Sequence, residues 1–256
     1  MPLSIEAIPA LETNYVWALH DGTHCVLVDP GSAAEPLAYL DDHGLELAAI
    51  LITHHHWDHT GGLDDILVRH NVPVWGPRDE RIEQVTHPIG EGDRIEIAEP
   101  ALSLQVLDTP GHTTTHVMFY DDKRLLSGDT LFSIGCGRLF EGTPQQMLAS
   151  LDKLADLPGE LKIYCGHEYT LDNCRFALQV EPDNAVLKQR FEQARSLRER
   201  GEITLPSTLA DERAANPFLR SREATVIAAA NDREPGTGTG ADPAGVFGVI
   251  RSWKDG

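Results

Sequence analysis

The sequence has 256 residues, of which 40 are acidic and 21 are basic, and its formal net charge is −19. This charge excludes a nucleic-acid-binding surface, which must be basic to displace counterions from phosphates, and it disfavours binding to an anionic membrane. The length allows one large domain, or a large domain and a small one. The longest apolar run, around 48–52, is too short to span a bilayer.

The N-terminus and the cysteines indicate a cytoplasmic protein. Met1–Ala10 has no basic start and no long apolar stretch, so we expect no secretory signal. The four cysteines form no Cys-x-x-Cys pair, and we expect them to be reduced thiols. We also expect a monomer that binds neither nucleic acid nor a membrane.

The first part of the chain is predicted to be mixed α/β, from its apolar runs and the turn residues between them. Strands are predicted at 25–28, 48–53, 72–75, 95–97, 102–107, 117–120, 124–126 and 161–164. Helices are predicted at 36–43, 63–70 and 145–155, the first of them closed by Gly44 in the left-handed conformation.

The chain changes character after Tyr169. Apolar residues spaced three or four apart predict a helix at 184–200, and further helices are expected at 222–230 and 244–254. A stretch rich in Gly and Pro, 231–243, predicts a loop. We therefore predict an α/β domain at 1–169 and a small helical domain at 170–256.

A histidine-rich segment, 53–62, reads THHHWDHTGG and directly follows the predicted buried strand. In an extended segment, residues two apart point the same way, so His54 and His56 can converge on one point. Asp58 and His59, after a turn, can reach a neighbouring point. Imidazole and carboxylate ligands suit Zn²⁺, Fe²⁺ or Mn²⁺. The segment predicts a metal site, to which a metal-free surface tract is the alternative.

Further ligand candidates follow later strands and lie among turn residues, where functional loops leave a rigid scaffold. They are His112 in TPGHT, Asp129 in SGDT and His167 in YCGHE. Each of these residues alone could be an ordinary turn residue. Only their occurrence together with the histidine-rich segment supports their assignment as metal ligands. Asp29, in VDPG, is a candidate hydrogen-bond partner of a ligand histidine, or a simple turn residue.

Other residues near these candidates receive different interpretations. His55 is expected to point away from the metal, and Trp57 to pack beside the site. Cys136 and Cys165 compete as zinc ligands, although buried cysteine is more often inert. A closed structural zinc site would normally use four ligands, often including Cys, so the His/Asp set favours an open catalytic site over a non-catalytic metal-binding module.

The segment 53–62 resembles the T-H-x-H-x-D-H-x-G-G motif of the metallo-β-lactamase superfamily, and His112, Asp129 and His167 match its later ligand positions. Within the superfamily the chain most resembles the glyoxalase II, or hydroxyacylglutathione hydrolase, family. The matching segments are GCGRLFEGT at 135–143, YCGHEYT at 164–170, PST at 206–208 and NPFLR at 216–220. The resemblance extends over nearly the whole chain.

This resemblance implies that residues 1–169 form a catalytic αββα sandwich with a two-metal site, and that residues 170–256 form a small helical substrate-binding domain. The ligands of the first metal would be His54, His56 and His112, those of the second Asp58, His59 and His167, and Asp129 would bridge them. The metals would be divalent, zinc in first place, with iron or manganese as alternatives. Catalysis would use a metal-bridged hydroxide and no Ser or Cys nucleophile, with Asp58 and Asp129 orienting it.

The implied reaction is hydrolysis of S-(2-hydroxyacyl)glutathione thioesters, such as S-D-lactoylglutathione, to the hydroxy acid and glutathione, the second step of methylglyoxal detoxification. The implied substrate contacts are Arg138, Phe140, Tyr169, Arg251 and Lys254. Many members have Lys and Tyr where this chain has Arg138 and Phe140. Arginine still binds a carboxylate, whereas phenylalanine offers no hydroxyl. The alternatives are a mononuclear-iron persulfide dioxygenase or another hydrolase of the superfamily.

Overall fold

The computed structural model describes residues 3–237 and 242–256. The strands are β1 Ser4–Ala10, β2 Asn14–His20, β3 His24–Val28, β4 Glu46–Leu51, β5 Val74–Pro77, β6 His87–Ile89, β7 Arg94–Ile97, β8 Leu102–Asp108, β9 Val117–Tyr120, β10 Arg124–Gly128, β11 Leu131–Phe132, β12 Gly135–Cys136, β13 Lys162–Cys165 and β14 Ser207–Thr208. The helices are α1 Ala34–His43, α2 Trp57–Thr60, α3 Leu63–Arg69, α4 Pro144–Asp152, α5 Thr170–Val180, α6 Ala185–Glu199, α7 Leu209–Ala215, α8 Ala224–Arg233 and α9 Pro243–Asp255.

The chain divides into two compact units. The first runs to Asp108 and includes 115–121 and 125–128, and the second comprises 109–114, 122–124 and the chain from Asp129 onwards. The predicted division at 169/170 was made on sequence character, and compactness is a different criterion, so that boundary stays a prediction. In the described ranges no helix has the length and apolarity to cross a membrane.

The first unit contains a six-stranded sheet in the order β1 to β6. Strands β1, β2 and β3 are antiparallel, whereas β3, β4, β5 and β6 are parallel. Helices α1 and α3 cover this sheet, where Leu40 and Ile66 pack with Val16, Leu27 and Ile50 in one buried cluster. Strand β4 is mostly buried because it lies between β3 and β5, as its continuous apolar sequence predicted.

Strands β7 to β10 of the first unit form an antiparallel meander. In β8 the side chains of Leu102, Leu104 and Val106 are buried and alternate with exposed ones, so one face of this sheet lies against the core. Together with the first sheet and its helices, these strands confirm the predicted α/β class.

The second unit is mainly helical. Helices α5 and α6 pack together, and α9 packs against α4 and α8. Helix α4 begins with a capping box between Thr143 and Gln146, and α6 begins at Asn184, whose side chain accepts a hydrogen bond from the N–H of Leu187. Strand β13 pairs antiparallel with β14, and β11 with β12.

Most long periodic elements match their predicted positions, for example α6 at Ala185–Glu199 and α9 at Pro243–Asp255. The predictions missed the strands β1 and β2, the helix α5 and the short elements β6, β11, β12, β14, α2 and α7. The predicted loop 231–243 is wrong at its start, because α8 continues to Arg233. Residues 238–241 of that loop lie outside the described residues.

A buried ion pair fixes the region between α5 and α8. Arg220 donates from Nε to Glu181 Oε2 at 2.8 Å and from Nη2 to Oε1 at 3.0 Å, and Thr225 adds a hydroxyl donor. Glu181 is 4% exposed. Burial alone would raise the pKa of this carboxyl, but the hydrogen bonds from Arg220 and Thr225 outweigh burial and lower it.

We predict that Arg220→Met lowers the free energy of unfolding at pH 7 by about 3 kcal/mol, because it leaves a buried carboxylate without its cation. The lowered pKa of Glu181 stabilises the wild type in full above the unfolded value of about 4.3, and this stabilisation is lost as the pH falls through the lower folded value, so the difference between the two proteins should shrink in that range. Urea unfolding at pH 7 and at about pH 3 measures both effects. Arg222→Met, which removes the exposed pair with Asp152, is the control and should cost about 0.5 kcal/mol; equal costs for the two variants would contradict the prediction.

Candidate metal centre

The histidine-rich segment leaves the carboxyl end of β4 in an extended conformation and then forms the one-turn helix α2. The predicted turn before Asp58 is therefore a helix start at Trp57. The ring centroids of His54 and His56 lie 4.7 Å apart, and those of His54 and His59 lie 4.2 Å apart. Because His54 and His59 are almost fully buried, their rings are held by the surrounding protein.

Asp29 anchors this segment. Its Oδ1 accepts a hydrogen bond from the N–H of Thr53 at 2.7 Å, and its Oδ2 accepts one from Thr53 Oγ1 at 2.6 Å. The same Oδ2 lies 3.1 Å from His59 Nδ1, which is the contact to a histidine that the sequence suggested. Ligand-type atoms of Asp29, His54 and His59 all lie within 4.8 Å of one another. With Nδ1 facing Asp29, the Nε2 of His59 is the ring nitrogen that remains as a candidate ligand atom.

Asp58 is oriented by Asn14, a residue that the sequence analysis missed. Asn14 Nδ2 donates to Asp58 Oδ2 at 2.9 Å and to the carbonyl of Asp58 at 3.1 Å. The Oδ2 of Asp58 also lies 3.5 Å from His59 Nε2. Gly31 makes the close approach possible, since a Cβ at this position would lie 1.8 Å from the Asp58 carbonyl oxygen. No sequence motif around Asn14 could have indicated this role, because Asn14 lies at the start of β2, 44 residues before Asp58 in the sequence.

His116 is a second residue that the sequence analysis missed. It is fully buried and stacks on His54, with 4.8 Å between ring centroids. His55 turns towards Asp79, with Nδ1 3.6 Å from Oδ2, which agrees with its predicted position away from the metal. Trp57 is 69% exposed, so the prediction that it packs beside the site is wrong: as the first residue of α2, it points outwards.

In the second unit, Asp129 lies next to two histidines. Its Oδ2 is 3.6 Å from His112 Nε2 and 3.2 Å from His167 Nε2, and all three side chains are nearly buried. His112 Nδ1 lies 2.8 Å from the carbonyl of Arg138, which accepts from Nδ1–H and so fixes Nε2 towards Asp129. Gly137 permits this packing, because a Cβ there would lie 2.0 Å from the Asp129 carbonyl and 2.8 Å from His112 Nδ1.

The ring of His167 is fixed by aromatic neighbours. It stacks on Tyr169 with parallel planes and 4.6 Å between centroids, and Phe132 contacts it edge-on. Cys165 is buried, and its Sγ lies 3.5 Å from the carbonyl of His167, whereas the Sγ of buried Cys136 lies 3.7 Å from Arg251 Nη1. Among residues 3–237 and 242–256, neither thiol belongs to a group of side chains that could hold a metal ion.

The predicted substrate contacts have different surroundings. Phe140 is 61% exposed and contacts His112 edge-on. Arg138 is half-exposed and donates from Nε to Asp255 Oδ1 at 2.9 Å. Arg251 is only 5% exposed, donates to the carbonyl of Cys136 at 2.8 Å and lies over the ring of Phe218. Burial of its guanidinium gives Arg251 a structural role whether or not it touches a substrate.

Lys254 lies one turn further along α9, with Nζ 5.2 Å from the ring centre of Phe176. Burial, together with the positive charge of Arg251, lowers the pKa of its ammonium group to about 8. Lys254 is therefore a cation at neutral pH that loses its charge in a moderately alkaline solution.

Sequence comparison matches residues 10–167 to the metallo-beta-lactamase superfamily and residues 168–256 to the family described as hydroxyacylglutathione hydrolase C-terminus. The hydroxyacylglutathione hydrolase of Cupriavidus metallidurans is 51% identical over 99% of this chain and 99% of its own. That of Alkalilimnicola ehrlichii is 53% identical over 98% of both chains. The crystal structure of BLEG-1 B3 metallo-beta-lactamase matches with a TM-score of 0.65 and 25% identity, over 84% of this chain and 99% of that one. These similarities cover both parts of the sequence, and the chain belongs to the hydroxyacylglutathione hydrolase family of the metallo-β-lactamase superfamily.

Proposed function

We propose that the chain binds two divalent metal ions through the His/Asp set. The first would be held by His54, His56 and His112, the second by Asp58, His59 and His167, with Asp129 as the shared ligand. The donor chemistry fits, because neutral imidazoles and a few carboxylates suit zinc, with iron or manganese as alternatives. The positions of Asp129 between two imidazole Nε2 atoms, and of Asp29 behind His59, support this assignment.

We propose that the reaction is hydrolysis of S-(2-hydroxyacyl)glutathione thioesters, with S-D-lactoylglutathione as the substrate to test first. The observation that carries this proposal is the full-length similarity to relatives named hydroxyacylglutathione hydrolase. Within each unit it is supported by one side-chain group, Asp29 with His54 and His59 in the first and Asp129 with His112 and His167 in the second. The match of residues 168–256 to the C-terminal part of that family favours a glutathione thioesterase over a persulfide dioxygenase.

Bound at these residues, the metals would supply an activated water near neutral pH and would polarise the thioester carbonyl. The protein's own residues hold the ligands in one orientation. Asp29 accepts from His59 Nδ1, the Arg138 carbonyl accepts from His112 Nδ1, and Asn14 donates to Asp58. Departure of a thiolate needs no strong general acid. Because the proposed nucleophile is an activated water, neither a Ser nor a Cys nucleophile is required.

Substrate recognition must be local, because a chain with a net charge of −19 repels an anionic glutathione thioester at long range. At physiological ionic strength, distant carboxylates are screened beyond about 8 Å. We propose that Arg138, Phe140, Tyr169, Arg251 and Lys254 hold the glutathione part, with the three cations binding its carboxylates. We further propose that the enzyme acts in the cytoplasm, which its buried free cysteines support. We propose that it acts there as a monomer.

We predict that the metal-loaded protein releases free thiol from S-D-lactoylglutathione, and that His56→Ala and Asp129→Ala each lose metal and at least about a thousandfold of kcat/KM. Thiol release is followed with a chromogenic thiol reagent, and metal content by elemental analysis. His55→Gln is the matched control, because this neighbouring histidine faces Asp79. Normal turnover by metal-free Asp129→Ala would refute the two-metal mechanism.

We predict that Gly137→Ala lowers the metal content and reduces turnover about a hundredfold while the protein stays folded. The reason is that the added methyl group must displace the Asp129 carbonyl and His112. Elemental analysis and circular dichroism measure the two effects. Gly159→Ala, whose methyl group would meet Ala210 Cβ at 3.2 Å, adds the same atom outside the site and serves as the control. Full metal content in Gly137→Ala would contradict the predicted crowding.

We predict that kcat/KM falls as the pH rises through about 8, because Lys254 then loses the charge that attracts the substrate. In Lys254→Met this alkaline fall should disappear, and KM at pH 7 should rise about tenfold with little change in kcat. Initial rates between pH 6.5 and 9, corrected for spontaneous thioester hydrolysis, measure the profile. An unchanged pH profile in Lys254→Met would show that Lys254 does not contribute to substrate binding. Lys188→Met, on the surface of α6, is the charge-matched control.

A further inference from the structure

Asp255, the last residue of α9, is placed where helix electrostatics disfavour it. The carboxyl end of a helix carries partial negative charge, so an acidic side chain in the last turn is unfavourable there. The i,i+4 pair of Arg251 followed by Asp255 is also in the weaker order for a helix. Local helix formation therefore gives no reason for an aspartate at this position.

The contacts of Asp255 give a reason that lies outside the helix. Its Oδ1 accepts from Arg138 Nε at 2.9 Å and from Arg251 Nη2 at 3.0 Å. Arg251 is already fixed by the Cys136 carbonyl and by Phe218. Arg138 is different, because its side chain is 55% exposed and Asp255 is its ion-pair partner. Asp255 therefore restricts the side chain of Arg138 more than that of Arg251.

The mode of this contact leaves the guanidinium able to bind a second anion. Asp255 accepts its hydrogen bond from Nε of Arg138. Among residues 3–237 and 242–256, the two terminal nitrogens of Arg138 make no further hydrogen bond or ion pair. Two terminal nitrogens of a guanidinium match the two oxygens of a carboxylate. An arginine held through Nε is therefore oriented to present its terminal nitrogens to a ligand.

The backbone of Arg138 is also hydrogen-bonded to a proposed metal ligand, His112. Its carbonyl accepts from His112 Nδ1 at 2.8 Å, and the N–H of Phe140 donates to the His112 carbonyl at 3.2 Å. The segment that carries Arg138 is thus hydrogen-bonded to His112 at two points. The backbone of Arg138 is consequently fixed beside His112.

We propose that Asp255 is a positioning residue for substrate binding: its carboxylate holds the guanidinium of Arg138 through Nε, so that the terminal nitrogens bind a carboxylate of the glutathione part. This inference rests on the proposed function, since Arg138 is one of the proposed substrate contacts. It adds a residue that touches no substrate and acts through another side chain. Asp255 limits the rotamers of Arg138 before the ligand arrives, which lowers the entropy lost on binding.

The test measures the Kd of reduced glutathione by titration calorimetry and the KM and kcat for S-D-lactoylglutathione, all on the metal-loaded full chain. Asp255→Ala should raise Kd and KM about fivefold and leave kcat within about twofold, the range expected for one arginine that loses its order. Asp255→Asn keeps an acceptor oxygen for Nε–H and should stay within about twofold of the wild type. In an Arg138→Met background, Asp255→Ala should produce no further rise.

The control is Asp152→Ala, which removes an exposed aspartate–arginine pair with Arg222 elsewhere in the second unit and should leave Kd and KM unchanged. Unchanged or lower Kd and KM in Asp255→Ala would overturn the inference, and so would an effect that persists in full in the Arg138→Met background. If the wild type binds glutathione but releases no thiol, the proposed reaction fails, while the calorimetric comparison still decides the role of Asp255.

Discussion

The hydrogen bonds of the Asp29 carboxylate are the interaction on which the histidine segment depends. Parallel strands β3 and β4 end at the same edge of their sheet, which brings Asp29 next to Thr53. One carboxylate thereby receives the backbone N–H and the hydroxyl of Thr53 and contacts His59. A flexible histidine-rich segment would lose much entropy on binding a metal. Because Asp29 ties it to the end of the sheet, most of that entropy is already lost when the chain folds.

Buried ligands of this kind need partners behind them as well as a metal in front. In both units the second ring nitrogen of a histidine faces a fixed oxygen: Asp29 behind His59, and the Arg138 carbonyl behind His112. Such a contact selects the tautomer and aims Nε2. Glycines at positions 31 and 137 let the backbone come close enough for these contacts, since any side chain there would overlap a carbonyl oxygen.

The acidic character of the chain and its proposed anionic substrate are compatible because recognition works at short range. Arg138, Arg251 and Lys254 are grouped around the end of α9, and Asp255 partly neutralises two of them. Burial lowers the pKa of the Lys254 ammonium group, and repulsion by the positive charge of Arg251 lowers it further. The single carboxylate offsets this repulsion and still leaves the terminal nitrogens of Arg138 for a ligand.

The sequence by itself determined the α/β class, the long amphipathic helices and the family, because periodicity and the spacing of His54, His56, Asp58 and His59 are local properties. It also indicated Asp29, which lies in a turn after a strand. Only the tertiary structure decided the partners that come from distant parts of the chain. Asn14 reaches Asp58, His116 stacks on His54, and Asp255 holds Arg138 across more than a hundred residues of sequence. These contacts follow from how strands and helices are arranged in space, and no local pattern encodes that arrangement.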